Sequence, residues 1–140
     1  MAAVTSIMRA HQILLTQLDR LLRPFGLTFA RYEALVLLSF SRTGALPLRL
    51  IGARLMVHPT SVTNTIDRLE RAELVVRRPN PQDRRGTLAE ITPVGREVVR
   101  QATAVLMSAE FGLGDYDDRQ LDDLFGLLRS LRVTAGDFSE

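Results

Sequence analysis

Cysteine, lysine and tryptophan are all missing from these 140 residues. Without thiols the chain has no disulfides, no thiolate metal sites and no thiol-based redox sensing. The two histidines, His11 and His58, stand far apart in sequence. They make a metal sensor a poor reading, so no metal or other cofactor is expected. Every apolar run is short and broken by Arg or Asp, so no membrane span is expected. The N-terminus, MAAVTSIMRAHQ, lacks a charged start, an apolar block and a small-residue cleavage site. It reads as no signal peptide, and hence as a cytoplasmic protein. There is no glycine-rich phosphate loop, no metal-ligand spacing and no nucleophile motif, which argues against an enzyme. The carboxylates at Asp115, Asp117, Asp118, Asp122 and Asp123 read as helix capping and solvated surface.

What remains is a chain with 46% apolar residues, enough for one domain with a real core over residues 1–140. All 18 cations are arginine, whose planar fork suits phosphates and guanine edges. A GC-rich genome would produce the same bias. The net charge of +2 conceals an asymmetry. Residues 42–100 carry eleven arginines against six acids, whereas residues 101–140 carry three against eight. A basic middle and an acidic tail point to one face that meets a polyanion and another that does not.

Apolar spacing of three and four predicts a helix over 4–22, with Val4, Ile7, Leu14, Leu18 and Leu21 on one stripe. Pro24 and Gly26 end it. Thr28 is a candidate N-cap for a helix to about Leu38, burying Phe29, Tyr32, Leu35, Val36 and Leu38. Ala45-Leu46 reads as a very short strand. Pro47 opens a helix to about Leu55, Met56-Val57-His58 is a turn, and Pro59 starts a helix to Ala72. That helix buries Val62, Ile66 and Leu69. Strands are expected over 74–78 and 87–92, joined by the turn Asn80 to Gly86. Thr92-Pro93 starts a helix to about Ala109, with Val94, Val98, Ala102, Val105 and Ala109 inward. Asp115 or Asp117 caps a last helix to about Val133, with Leu121, Leu124, Phe125, Leu128 and Leu131 apolar. Residues 136–140 read as frayed.

Two segments carry the chemistry. The helix after Pro59 is apolar on one side and offers Thr60, Ser61, Thr63, Asn64, Thr65, Arg68 and Arg71 on the other. Asn pairs with adenine and Arg with guanine in a major groove, and small hydroxyls reach phosphates. The same face is also what any solvated helix shows. The second segment is the turn Asp83-Arg84-Arg85, which holds guanidinium groups away from the body of the fold. A narrow minor groove attracts arginine, and an Asp83–Arg85 ion pair would hold the second one in place. An ordinary charged turn has the same composition. His11 is in phase with the first helix's apolar stripe. It reads as a satisfied core or interface histidine, with a ligand contact or a pH-sensitive interface as alternatives. His58 reads as a helix cap or a phosphate contact.

The stretch SVTNTIDRLERAELVVRRPNPQDRRGTLAEITPVGRE resembles the MarR-type (multiple antibiotic resistance regulator) winged-helix family. Its recognition-helix pattern is met by Ser61, Val62, Thr63 and by Ile66 to Glu70. Its wing pattern is met by Asp83, Arg85, Leu88, Ile91, Thr92, Pro93, Gly95 and Arg96. The resemblance implies a mainly α fold with a small β-hairpin wing, a winged helix-turn-helix core over 28–96, and dimerisation helices over 1–27 and 97–140. It implies a homodimer on double-stranded DNA at a pseudo-palindromic operator, acting as a repressor. Thr60, Ser61, Thr63, Asn64 and Arg68 would face the major groove. Arg77, Asp83, Arg84 and Arg85 would serve at the wing. It also implies a small aromatic or anionic effector, with His11 and Tyr32 as candidate contacts, although core packing is the other reading of Tyr32. The competing class is a winged-helix module that binds protein without specific DNA binding.

Three residues depart from the family pattern. Glu73 stands where glycine is usual; a positive φ there would cost about 1 kcal/mol. Gly52 and Leu50 stand where alanine and a polar residue are common. The first and last helices each carry an apolar stripe that a winged core cannot cover alone, which independently favours pairing of two chains. The stripes packing on each other within one chain is the alternative.

Overall fold

A computed structural model describes residues 1–137. The order is α1 (Ala2–Leu22), α2 (Phe29–Phe40), β1 (Ala45–Pro47), α3 (Leu48–Leu55), α4 (Pro59–Arg71), β2 (Val75–Pro79), β3 (Thr87–Ile91), α5 (Pro93–Ser108) and α6 (Asp118–Thr134). The strands form one antiparallel sheet in the order β1-β3-β2. The two-residue strand expected at Ala45 is thus the sheet's third member, paired with β3 through Ala45 and Glu90. The core gathers Leu22, Leu35, Leu38, Ile51, Ile66 and Leu69 from the helices around Val75 of the sheet.

Local chemistry sets the ends of the elements. Gly26, at φ 68°, turns the chain after a short 3-10 segment at Arg23–Phe25. Thr28 then caps α2, its hydroxyl accepting from the Arg31 N–H at 3.3 Å. The Asp19 carboxylate of α1 accepts from the Phe29 N–H at 2.7 Å, so the first helix also satisfies an orphan donor of the second. Asp117, not Asp115, caps α6, in a reciprocal capping box with Gln120. Gly136, at φ 78°, closes that helix with the Asp137 N–H on the Arg132 carbonyl. The fraying expected from Gly136 therefore does not begin there, and the rest of that expectation lies outside the described residues.

The inward face of α5 differs from the expected one. Of the expected residues Ala102 is buried and Val98 packs partly buried against the core, but Val94 is exposed, and the other buried positions are Gly95, Val99 and Leu106, each one residue further on than Val94, Val98 and Val105. Gly95 is the reason. A Cβ there would lie 2.2 Å from the Leu74 carbonyl oxygen, so only glycine lets α5 approach the end of α4 this closely. Thr92 secures the same junction. Its hydroxyl accepts from the Gly95 N–H at 2.9 Å and donates toward the carbonyls of Glu73, at 2.8 Å, and Leu74, at 3.1 Å.

Glu73 does take a left-handed conformation, at φ 61°. The Leu74 N–H reaches the Leu69 carbonyl at 3.0 Å and the Glu73 N–H reaches that of Glu70 at 2.9 Å. This is the Schellman closure that glycine normally occupies. Glu73→Gly is expected to raise the stability of the fold by about 1 kcal/mol, since the left-handed strain of a side chain is removed. A urea melt with an unchanged midpoint would show that the carboxylate side chain makes up the difference. Gly52 is buried between α3 and α4, where a Cβ would sit 3.0 Å from a Val62 methyl. Its low helix propensity is therefore exchanged for close approach of the two helices. Leu50 is half-exposed.

The terminal helices are not covered by their own chain. No residue of α6 is buried, and in α1 burial is confined to Leu18 and Leu22. Val4, Ile7 and Met8 on α1, and Leu124, Leu127 and Leu131 on α6, are all exposed. The two stripes do not cover each other within one chain. Among the described residues no helix is long and apolar enough to cross a membrane.

Candidate nucleic-acid interface

Helix α4 is held by its apolar side, where Val62, Ile66 and Leu69 are buried. With 3.6 residues per turn, Thr60, Asn64 and Arg71 then lie opposite that side, and Arg68 lies next to them. All four are exposed, as are Ser61 and Thr63, which flank the outward face on its two edges. Arg71, not singled out from the sequence as a site candidate, shares this outward face. The signal was available: it stands seven residues, two turns, beyond Asn64. The Thr63 hydroxyl donates to the Pro59 carbonyl at 3.1 Å. His58 caps the helix, its Nδ1 accepting from the Thr60 N–H at 3.1 Å. In the neutral ring the proton then resides on Nε2, a donor at the positive end of the helix.

The wing tip is shaped by side chains that accept from their own backbone. Asn80 Oδ1 accepts from the Gln82 N–H at 3.0 Å, and Asp83 Oδ1 accepts from the Arg85 N–H at 3.0 Å. These are Asx turns, which fix a loop without a neighbouring element. The expected ion pair of Asp83 with Arg85 is therefore replaced by a backbone contact. Asp83 sets the direction of the main chain at Arg85 and leaves the guanidinium unengaged. Among the described residues neither Arg84 nor Arg85 forms an ion pair, and both are exposed.

Arg77 differs. It is half-buried, and its guanidinium meets Asp67 at 2.6 Å and Glu70 at 3.0 Å. It also donates to the Thr63 carbonyl, and its own N–H donates to Glu70 Oε2 at 2.9 Å. These contacts hold its pKa above the ordinary arginine value against the opposing effect of burial. Its donors are turned toward α4, so it ties the root of the wing to the recognition helix and does not project outward. Arg96 likewise serves the frame: it donates to the Ser39 carbonyl, and its guanidinium packs where a side chain on Gly44 would stand.

A cavity of about 560 Å³ lies between α1, α2, α3 and α4. Its wall includes His11 and Leu15 of α1, Phe29 and Glu33 of α2, and Ser61 and Thr65 of the recognition helix itself. His11 is exposed in the isolated chain and lines this space, so it is not a core histidine. Tyr32 is on the other side of α2. It is buried, with its ring 5.9 Å from that of Phe29 and its hydroxyl 2.8 Å from that of Thr103 on α5. Tyr32 thus joins two helices of the core and does not line the cavity. Phe29 and Glu33, not singled out from the sequence as pocket residues, do. Among the described residues no three His, Cys, Asp or Glu side chains converge as a metal site.

Comparison with known proteins agrees with this fold. The MarR family model matches residues 27–87. The structure of Sco5413, a MarR family transcriptional regulator from Streptomyces coelicolor, is 62% identical in sequence. It covers 99% of this chain and 96% of its own, with a TM-score of 0.93. Sco3205, a MarR family regulator from the same organism solved in complex with DNA, is 26% identical over 93% of this chain and 83% of its own, with a TM-score of 0.84. The helix-turn-helix-type transcriptional regulator YhbI of Bacillus subtilis (strain 168) is 32% identical over 126 residues, which is 88% of this chain and 79% of that protein. An outward polar recognition helix, a wing with unpaired arginines and these likenesses together establish that the chain belongs to the MarR family of transcriptional regulators, proteins that bind DNA and are not enzymes.

Proposed function

We propose that this protein is a ligand-responsive repressor that binds a pseudo-palindromic operator as a homodimer. Asn64, Arg68 and Arg71 read base edges in the major groove, with Thr60, Ser61 and Thr63 on the flanking phosphates and thymine methyls. Arg85 enters the minor groove, supported by Arg84, and Asp83 aims the main chain that carries it. Arg77 positions the wing relative to α4 by its contacts with Asp67 and Glu70. The observation that carries the reading is the pairing of an exposed hydroxyl, amide and arginine face on α4 with a wing tip whose two arginines have no ion-pair partner among the described residues. Arginines without a partner are available to phosphate or groove. The homodimer is supported by the uncovered apolar stripes of α1 and α6. Ligand response is supported by the cavity, since anything that fills it touches Ser61 and Thr65 of α4.

The test begins by selecting bound fragments from the source genome, which yields the operator. On that operator Arg85→Ala is expected to weaken binding by about 1–3 kcal/mol with the oligomeric state unchanged. Asn64→Ala is expected to relax the sequence preference as well as lower affinity. An Arg85→Ala protein of unchanged affinity removes the wing from the mechanism. Equal weakening on all sequences removes Asn64 as a base reader. Binding that does not fall with added salt would show that phosphate contacts are not made.

A further inference from the structure

The cavity beside α4 has a charge character of its own. None of its wall residues is an arginine, although arginine supplies every fixed positive side chain of this protein. The titratable side chains that face it are Glu33 from α2 and His11 from α1; α3, α4 and the turn after α5 contribute none. Among the described residues Glu33 has neither an ion pair nor a side-chain hydrogen bond, and no ion pair joins it to His11. The remainder of the wall is mostly apolar, with two aromatic rings, Phe29 and Phe111.

A carboxylate in such a wall is costly in its charged form unless a counter-charge or hydrogen bonds are supplied. Burial accordingly raises the Glu33 carboxyl above its ordinary value. An anion in this space meets the like charge of Glu33 and no arginine; the donors among the wall side chains are the His11 ring and the Ser61 and Thr65 hydroxyls. A cation meets a carboxylate and two aromatic side chains, Phe29 and Phe111, groups that attract positive charge. The volume suits a molecule of two or three fused rings.

We propose that this cavity takes a hydrophobic cation, an aromatic or alicyclic ammonium or amidinium, with Glu33 as its counter-ion. The proposal deepens the ligand-responsive reading above and rests on it, but selects the opposite charge from the anionic effector that the family resemblance implies. The ring system occupies the apolar wall of Leu15, Leu18 and Ile51, and the charged nitrogen is directed at Glu33. Ser61 and Thr65 then lie against the occupant, so that its arrival is felt by α4.

Three probes of one shape and different charge decide the matter: 1-naphthylmethylammonium, 1-naphthylmethanol and 1-naphthoate. Each is titrated into the intact protein by calorimetry, with operator release followed in parallel. The ammonium is expected to bind about tenfold or more tightly than the carboxylate, with the alcohol between them. Glu33→Gln is expected to bring the ammonium to the affinity of the alcohol and to leave the alcohol unchanged, which also reports that the variant is folded. Ala30→Trp, in the cavity wall, is expected to abolish binding of all three. A carboxylate that binds as tightly as the ammonium overturns the proposal. So does a ranking that survives Glu33→Gln, or a failure of all three probes to bind. An ammonium that binds with the expected ranking but leaves the operator complex intact supports the charge assignment and overturns the effector reading. A naphthoate that binds as tightly as the ammonium and releases the operator does the reverse.

Discussion

Leu124→Glu with Leu131→Glu is expected to produce a folded monomer that has lost operator binding. Both leucines are on α6, seven residues apart and so on one face, and both are exposed in the isolated chain. Exposed side chains contribute little to the protomer, so its circular dichroism and its core should survive the change. The dimer should not. Two carboxylates placed in a buried apolar interface must each be desolvated without a partner, which is costly. Once the chains separate, each winged core binds one half-site alone. The affinity lost is the effective concentration that linkage provides, about 100-fold or more. Sedimentation equilibrium measures the first effect and fluorescence anisotropy on the operator the second. A variant that stays dimeric shows that α6 is not the interface. A monomer that binds the operator as tightly as the parent shows that pairing is not part of recognition.

Gly95→Ala is expected to destabilise the fold by about 3 kcal/mol, the upper part of the range for overpacking. The added methyl group would lie 2.2 Å from the Leu74 carbonyl oxygen and 2.9 Å from an Ile91 side-chain carbon. The carbonyl belongs to the backbone between α4 and β2, and that backbone is fixed by the Thr92 hydroxyl. It cannot move aside as a flexible side chain would. The clash is therefore relieved only by shifting α5 away from the root of the wing, which also disturbs the element that aims Arg85. Urea denaturation reads the stability, and operator affinity at low denaturant reads the consequence for function. A loss below about 0.5 kcal/mol, the ordinary range for surface changes, would mean that α5 does not pack against Leu74 this closely in solution.

Much of the recognition helix was legible because its signals are local. Val62, Ile66 and Leu69 at spacings of four and three set its inward face, Pro59 its start, and by subtraction its outward residues. The wing was legible from strand-turn-strand chemistry. The phase of α5 was not. Val94, Val98 and Val105 are as apolar as Val99 and Leu106, so periodicity alone gives two adjacent answers. The choice between them is made by Gly95, which admits the carbonyl of Leu74 from 21 residues earlier in the chain.

Site residues divide in the same way. Arg77, Arg84 and Arg85 are equivalent as letters. Arg77 lies within reach of Asp67 and Glu70 only because β2 returns alongside α4. Arg84 and Arg85 are at the tip, where the one neighbouring acid, Asp83, is taken up by the Arg85 N–H. Tyr32 and Glu33 are neighbours in the chain, but one points to Thr103 and the core and the other to a cavity.

The sequence by itself determined the element order, the caps at Thr28 and Thr92, the outward face of α4 and the resemblance to the family, because caps, turns and helical periodicity act over a few residues. Tertiary structure alone decided which arginines are unengaged among the described residues, which face of α5 is buried, and that Glu33 lines the cavity against the recognition helix. Those outcomes depend on atoms brought together from distant parts of the chain, and no local pattern encodes that proximity.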